Sequence, residues 1–524
     1  MLRAAAAVLL PLLVLVRHAD GAARSTPIAL APDGSAVWVT NPDSNTVAKI
    51  DPASHTRLGE FPAGDGPRTL TVTTDAVYVA SQHDDAIIRL GLDGSAAGRA
   101  DLGFGCAPYA IVAAGSQLYV TCEGPSTLVV LDTDLHALGS VPLAWPEARA
   151  LAVADSGLVY VTHFLTKEPN DSGHVSEVDP AAGRAVRVLE IPPDFATCET
   201  LGSGQGVANL LGAVVVGSGA TAGQLWVGGT LHNALRKGLF ERSTYFKDKP
   251  GVGLFPFDFQ SNPAGEHDNA RRNIYKPALH DIARAAVWKL DLGSGQVRTR
   301  LDLAGGGLIS ALAFSAAGDV AYAVDLMANA YYVFNTARGE SGNPATLFGT
   351  VAAFGPGGAQ PDQPCTSTAT DVVPEEPHLL PPQARLVATG GMQPLDAGTL
   401  LPADTGLEYT VATGLMRGVP DGVGTTPTGL VLSTDGTTAY VADYLARNIV
   451  AVAANSQGFR CQHAPMTSCR TRTDCAGLDE CMPLVNAVVA SIAPGSDLLP
   501  PQILDGKILF STSARDAAGA NRPI

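Results

Sequence analysis

Apolar and polar residues alternate with a period of two over Val37–Asp51, and this arrangement returns along most of the chain. An alternating strand (VWVT) is followed by a polar turn (NPDSN) and a second alternating strand (TVAKID), which predicts a β-hairpin. Related hairpins centre on Trp38, Tyr78, Tyr119 and Tyr160, at spacings of 40, 41 and 41 residues. That period is typical of one four-stranded blade of a β-propeller.

Three further copies follow at wider spacing, beginning at Gln224 and centred on Tyr322 and Tyr440. Insertions at about 235–283 and 336–423 interrupt them. We therefore predict an all-β fold, a seven-bladed propeller over residues 26–498 with long loop insertions, in which stacked blades bury one another's apolar faces. An open β-solenoid and two β-sandwiches are the alternatives.

The repeat resembles the bacterial YVTN-type β-propeller repeat, a WD-like unit. The motif stands here as WVTNPDSNTVAKID, YVASQHDDAIIRL, YVTCEGPSTLVVLD and YVADYLARNIVAVA. The resemblance implies a propeller and says little about activity, because one fold serves many functions.

The first residues predict export. Arg3 precedes an apolar run, Ala4–Val16, which is short for a membrane span, and small residues then offer a cleavage site near Ala23. We assign 1–23 as a secretion signal peptide, with an uncleaved membrane anchor as the alternative. The expected location is periplasmic or extracellular. The net charge of −16 argues against a nucleic-acid partner.

Export makes an even number of cysteines indicative of disulfides. Two of them flank one predicted hairpin, two are isolated, and four form a Cys-rich loop at 460–482 with gaps of seven, five and five residues that favour disulfides over zinc. The disulfide candidates are Cys106, Cys122, Cys198, Cys365, Cys461, Cys469, Cys475 and Cys481.

The tail, residues 499–524, breaks the repeat. Ile503–Phe510 has a short helical apolar pattern, and DGKILFSTSARD resembles the opening helix of a c-type cytochrome domain of the di-haem peroxidase-like kind. The resemblance implies haem attachment at a following Cys-x-x-Cys-His. No such motif occurs in this sequence, so no cofactor is assigned to these residues. Either a haem domain follows the chain, or the tail is a vestige or terminal coil.

Candidate chemistry is sparse. No zinc-protease, nucleophile-elbow or phosphate-loop motif is present. His163 and His232 each follow the central strand of a blade, which predicts that both lie near the channel mouth as weak metal candidates. Loop histidines bonded to backbone are the alternative. We expect a docking or scaffold module for a protein partner or a fused haem domain. A propeller oxidoreductase or lyase, with unknown catalytic residues, and a structural surface or adhesion protein are the alternatives.

Overall fold

The structure is a computed structural model whose described part is built from β-strands and turns. It describes residues 23–166, 171–194, 206–232, 283–303, 307–326, 330–337, 410–412, 426–444, 447–454, 459–461, 464–469, 481–483 and 488–495. Two short 3₁₀ turns, Pro42–Ser44 and Gly219–Thr221, are the helical elements of these ranges.

The strands are short and follow one another closely, as the period-two pattern predicts. The first half of the chain contributes β1 (Ala23–Arg24), β2 (Ile28–Leu30), β3 (Val37–Asn41), β4 (Thr46–Asp51), β5 (Thr56–Pro62), β6 (Pro67–Val72), β7 (Ala76–Ser81), β8 (Ala86–Gly91), β9 (Ala96–Asp101), β10 (Pro108–Ala114), β11 (Gln117–Cys122), β12 (Thr127–Asp132), β13 (Ala137–Pro142), β14 (Ala148–Val153), β15 (Val159–His163), β16 (Gly173–Asp179) and β17 (Arg184–Ile191). The second half contributes β18 (Val207–Val216), β19 (Gln224–His232), β20 (Ala283–Asp291), β21 (Val297–Leu303), β22 (Ile309–Phe314), β23 (Val320–Asp325), β24 (Ala330–Asn335), β25 (Thr410–Ala412), β26 (Pro427–Leu432), β27 (Thr438–Asp443), β28 (Asn448–Ala453), β29 (Phe459–Cys461), β30 (Ala464–Cys469), β31 (Cys481–Pro483) and β32 (Val488–Ile492).

Antiparallel pairing arranges these strands into six four-stranded sheets, one five-stranded sheet and one three-stranded sheet within the described ranges. The four-stranded sheets are β2-β3-β4-β5, β6-β7-β8-β9, β10-β11-β12-β13, β18-β19-β20-β21, β22-β23-β24-β25 and β26-β27-β28-β32. The five-stranded sheet has the order β1-β14-β15-β16-β17, and β30-β29-β31 form the small one.

The six four-stranded sheets and the five-stranded sheet form a closed ring. Their inner strands contact one another in the order β2, β6, β10, β14, β18, β22 and β26, and β26 contacts β2. Apolar clusters fill the space between neighbouring sheets. Where the ring closes, Ile28 and Val39 pack against Val431 and Tyr440, all of them buried. Each sheet thus buries its apolar faces against its neighbours. The stacked sheets together form the core of a propeller, although a single sheet could not fold alone.

The predicted fold class is wrong in its details. Six sheets, and not seven, have the predicted four-stranded form in the described part of the chain. The other member of the ring carries β1 as a fifth strand, because the inner edge of β14 offers unpaired backbone groups to the N-terminal segment. The described residues contain no α-helix, and the predicted helical tail at Ile503–Phe510 lies outside them. Residues 1–22 of the predicted signal peptide also lie outside them, as do most of both insertions and Cys198, Cys365 and Cys475.

Two features of the sheets could not be predicted from the sequence repeats: the strand β25 and the small three-stranded sheet. β25 lies inside the predicted insertion 336–423 and pairs with β24 as the fourth strand of its sheet. The three-stranded sheet falls in the Cys-rich loop, between β28 and β32, which pair with each other. In it Cys461 and Cys481 are direct Cα partners, and Cys469 is the Cα partner of Phe459.

Several inner strands contain a β-bulge near their start. The bulge frees a backbone amide, and the threonine of the repeat motif supplies the acceptor for it. In β14 the register shifts between Ala148 and Leu151, which takes the Ala150 amide out of the ladder. The Thr162 hydroxyl accepts that amide hydrogen at 3.1 Å. It donates to the Leu211 carbonyl of the next sheet at 2.9 Å. One buried hydroxyl therefore satisfies its own bulge and fastens the neighbouring sheet.

The same arrangement recurs one sheet earlier. Thr121 accepts from the Ala110 amide at 3.0 Å and donates to the Arg149 carbonyl at 2.8 Å. The hydroxyl of Thr230 donates to the Gly307 carbonyl at the equivalent interface. The threonines of the two Tyr-Val-Thr motifs, Thr121 and Thr162, thus each make an inter-sheet contact.

Candidate functional site

Inner strands begin, and second strands end, on the same side of the ring, because the two strands are antiparallel neighbours. We call this side the upper face. The second strands that end there do so at Asn41, Ser81, Cys122, His163, His232, Asp325 and Asp443. The connections that follow these residues therefore surround the mouth of the central channel.

The channel itself is occupied by the N-terminal segment. Ala23 and Arg24 of β1 pair with Val153 and Ala152 of β14. The Arg24 guanidinium donates to the Leu430 carbonyl across the ring at 3.0 Å. The chain then bridges to β6 through Thr26 before it enters β2. This segment closes the channel beneath the upper face.

A cavity of about 690 Å³ lies above it, within the size range of small-molecule sites. Ser25, Thr26 and Pro27 belong to its lining, and most other lining residues come from the upper ends of the inner and second strands and from the turns that follow them. They include Arg68, Thr69, Tyr109, Asp43, Tyr444 and Arg447.

One wall joins the two ends of the ring. The Asp43 carboxylate accepts hydrogen bonds from the Tyr444 hydroxyl at 2.9 Å and from the Arg447 guanidinium at 3.1 Å. Asp43 lies in the turn after β3, while Tyr444 and Arg447 follow β27. The positive charge of Arg447 therefore balances the Asp43 carboxylate at this wall. The contact joins the first sheet of the ring to the last.

The opposite wall repeats one position of the blade. Arg68, Tyr109 and Arg149 are each the second residue of an inner strand, in β6, β10 and β14. Each sits in a bulge of its strand, between register positions 67 and 70, 108 and 111, and 148 and 151. A bulge turns side chains away from the regular alternation, and here Arg68 and Tyr109 reach the cavity.

These side chains are held by a relay across the upper face. The Arg68 Nε donates to the amide oxygen of Gln82. The Gln82 amide nitrogen donates to Glu123 at 2.9 Å, and Glu123 accepts from Arg149 at 2.6 Å. The Arg149 guanidinium lies 4.9 Å from the ring centre of Tyr109. This relay, the chain of hydrogen bonds from Arg68 through Gln82 and Glu123 to Arg149, holds the Nε atom of Arg68. The two terminal nitrogens of Arg68 have no hydrogen-bond partner among the residues that the structure describes.

The predicted metal candidates lie elsewhere on this face. His163 is 2% exposed at the end of β15, where Nδ1 lies 2.9 Å from the Pro146 carbonyl and Nε2 lies 2.8 Å from the Ser176 hydroxyl. Nδ1 is therefore the protonated nitrogen, and Nε2 accepts from Ser176. Burial lowers the pKa of His163 to about 4, with a smaller contribution from His174. His163 is thus a neutral, hydrogen-bonded ring.

His232 ends β19, where its Cα partners are Val207 and Ala283. Neither His163 nor His232 lines the cavity. In the described ranges, no three His, Cys, Asp or Glu side chains are grouped as a metal site would require. A metal role for the two histidines stays a prediction.

A second feature of the upper face is the loop between β9 and β10. Phe104 at its tip is fully exposed. Gly103 and Gly105 flank it with φ of +92° and +80°, a conformation that favours glycine. Both oxygens of Asp85 accept backbone amides of the loop, from Gly105 at 2.8 Å and from Ala107 at 2.7 Å.

A disulfide between Cys106 and Cys122, with a Cα–Cα distance of 4.6 Å, ties this loop to the end of β11. It confirms the prediction of a disulfide and is the kind of bond that persists in oxidising compartments. In the part of the chain that is described, no helix has the length and apolar character needed to cross a membrane.

Sequence reasoning missed Arg68 and Tyr109 because it searched for catalytic motifs and histidines. The signal was available in the repeats. Aligned copies read PRTLTV, PYAIVA and ARALAV, and the second position of each is the residue that the bulge turns to the channel mouth.

Comparisons with known proteins find the fold and no family. The fold is shared with a chain of hydrazine synthase. This chain, from Kuenenia stuttgartiensis, is 17% identical, and the alignment covers 82% of our chain and 96% of that chain with a TM-score of 0.53. Virginiamycin B lyase from Staphylococcus aureus is 13% identical, with 61% and 82% covered and a TM-score of 0.38. No protein-family model and no curated protein sequence matches.

Proposed function

We propose that this protein is a secreted docking module whose upper face binds a haem-bearing protein partner. The observation that carries the proposal is Phe104, a fully exposed aromatic side chain in a loop that is fixed at several points. Exposed aromatic anchors are the residues that dominate protein interfaces, because they bury much surface at little entropic cost. A loop already held by Asp85 and by the Cys106–Cys122 disulfide loses little further freedom on binding.

Charge near the loop favours a basic partner. Asp85 binds the loop directly, Asp101 ends the preceding strand, and Asp84 adjoins them through Arg99. Hydrogen bonds, first from the Asp65 amide, lower the pKa of Asp84, so it is charged at neutral pH. The whole chain has a net charge of −16, which would steer a positively charged partner towards it.

Two observations support haem on the partner. The tail resembles the start of a c-type cytochrome domain. The same fold also occurs in a chain of hydrazine synthase, which supports an association with an enzyme. An exported propeller with its own disulfide would serve as the platform for such a partner.

The test is affinity isolation from the source organism's periplasmic extract with tagged wild type, Phe104→Ser and Leu58→Ser. Leu58 is the matched control, since it is 56% exposed on the outer strand β5. We expect a haem-staining protein to copurify with wild type and Leu58→Ser and to be reduced at least about 10-fold with Phe104→Ser, as for an interface anchor. Equal recovery by all three proteins, or a recovered partner without haem, would contradict the proposal.

A further inference from the structure

Several hydroxyls of the cavity lining are already hydrogen-bonded within the protein. The Thr69 hydroxyl donates to the Tyr109 carbonyl at 3.0 Å, and the Ser310 hydroxyl donates to the Pro427 carbonyl at 2.8 Å. In the floor, the Ser25 hydroxyl accepts from the Leu151 amide at 3.0 Å. Thr69 and Ser310 therefore use their hydroxyl hydrogens within the protein, and most of the surface that lines the cavity is apolar.

Arg68 and Tyr109 differ from this wall. Arg68, which is exposed, and Tyr109 both belong to the cavity lining, and neither side chain's end has a hydrogen-bond partner among the described residues. Thr69 links the two inner strands that carry them. The relay through Gln82 fixes the Arg68 Nε and leaves the planar fork of its terminal nitrogens for a ligand.

The geometry points to a binding site for the carboxylate end of an otherwise apolar ligand, and we propose Arg68 and Tyr109 as its anchors. An arginine fork matches a carboxylate in shape and charge, and a phenol can donate a third hydrogen bond. The lining also holds two carboxylates: that of Asp43 pairs with Arg447 and accepts a hydrogen bond from Tyr444, and that of Asp443 is buried. The cavity of about 690 Å³ leaves room for an apolar body beyond the carboxylate.

The carboxylate could belong to a free small acid or to the C-terminus of a polypeptide. Both would use the same anchors, and the floor formed by Ser25, Thr26 and Pro27 would stop either from passing through the ring. This site goes beyond docking through Phe104, so failure of either proposal leaves the other standing.

The test is isothermal titration of the folded protein with four probes. Benzoate and its neutral analogue benzamide represent small ligands. Acetyl-Ala-Val-Leu with a free carboxylate and the same peptide as a C-terminal amide represent polypeptide ends. Arg68→Gln and Tyr109→Phe remove the anchors. Arg57→Gln is the control, since Arg57 pairs with Glu60 on the outer strand β5 away from the cavity.

We expect at least one acid to bind wild type and Arg57→Gln at millimolar concentration or tighter. Its amide and Arg68→Gln should weaken binding at least about 10-fold, and Tyr109→Phe by about 3- to 10-fold, as for the loss of charged and neutral hydrogen bonds. Binding of benzoate alone assigns a small acid, and binding of the peptide acid alone assigns a chain terminus. Absence of binding by both acids, equal binding by the amides, or unchanged binding by Arg68→Gln overturns the proposal.

Discussion

Replacement of Thr162 by valine tests the role of the repeat threonine in holding the ring together. Valine has nearly the same shape, so the packing stays while both hydrogen bonds of the hydroxyl are lost. The Ala150 amide loses its 3.1 Å acceptor and the Leu211 carbonyl its 2.9 Å donor, and Thr162 is fully buried. Each unsatisfied buried group costs about 1–3 kcal/mol, so we expect a loss of about 2–4 kcal/mol in the free energy of unfolding.

The assay is urea unfolding followed by tryptophan fluorescence, because Trp226 and Trp288 are buried in the neighbouring sheet. Thr162→Ser keeps the hydroxyl and loses one methyl group, so it should cost about 1 kcal/mol. Thr127→Val, at a threonine whose hydroxyl bond is exposed, should change stability by less than about 0.5 kcal/mol. A loss below about 0.5 kcal/mol for Thr162→Val, or an equal loss for Thr162→Ser, would refute the reasoning.

Three further perturbations address the upper face. Replacing both Cys106 and Cys122 by alanine opens a loop with a sequence separation of 16 and should cost about 3 kcal/mol in urea unfolding; a change below about 1 kcal/mol would contradict this. The pKa of His163 is lowered from 6.5 to about 4, so its contribution is complete above pH 6.5 and falls as the pH drops towards 4. Wild type should therefore lose about 2 kcal/mol more than His163→Gln between pH 7.5 and pH 5, and parallel pH curves for the two proteins would disprove it. Asp43→Asn should cost about 1–2 kcal/mol because its carboxylate is partly buried against an arginine and a tyrosine, whereas Asp134→Asn, at an exposed carboxylate, should cost less than about 0.5 kcal/mol; equal effects in thermal or urea unfolding would argue against the clamp.

The hairpins were predictable because the residues that form each one are neighbours in the sequence. Val37, Trp38 and Val39 form a short apolar strand, a polar turn follows, and the partner strand lies next in the chain. Repetition then multiplies the signal, since each sheet needs the same apolar faces to pack on its neighbours. The propeller follows from that local periodicity.

Three features depend on distant contacts and escaped prediction. β1 is two residues long and carries no measurable period, and its partner β14 begins at Ala148. The wall formed by Asp43 and Arg447 joins positions separated by 404 residues. The bulge that turns Arg68 towards the cavity is a register shift seen in the folded sheet, although aligning the repeats marks its position in the sequence. Such contacts become apparent when the ring is assembled.

Because the N-terminal segment occupies the channel, the sheets around it must form before this segment can make all its contacts. Ser25 bonds to Leu151, 126 residues ahead, and Arg24 reaches Leu430, 406 residues ahead. The first residues made are thus among the last to find all their partners, and contacts of such separation slow folding. This segment therefore reaches its final position only after the sheets around it have formed. A bulky group attached just before Ala23 would be expected to hinder the final closure more than the same group on the outer strands.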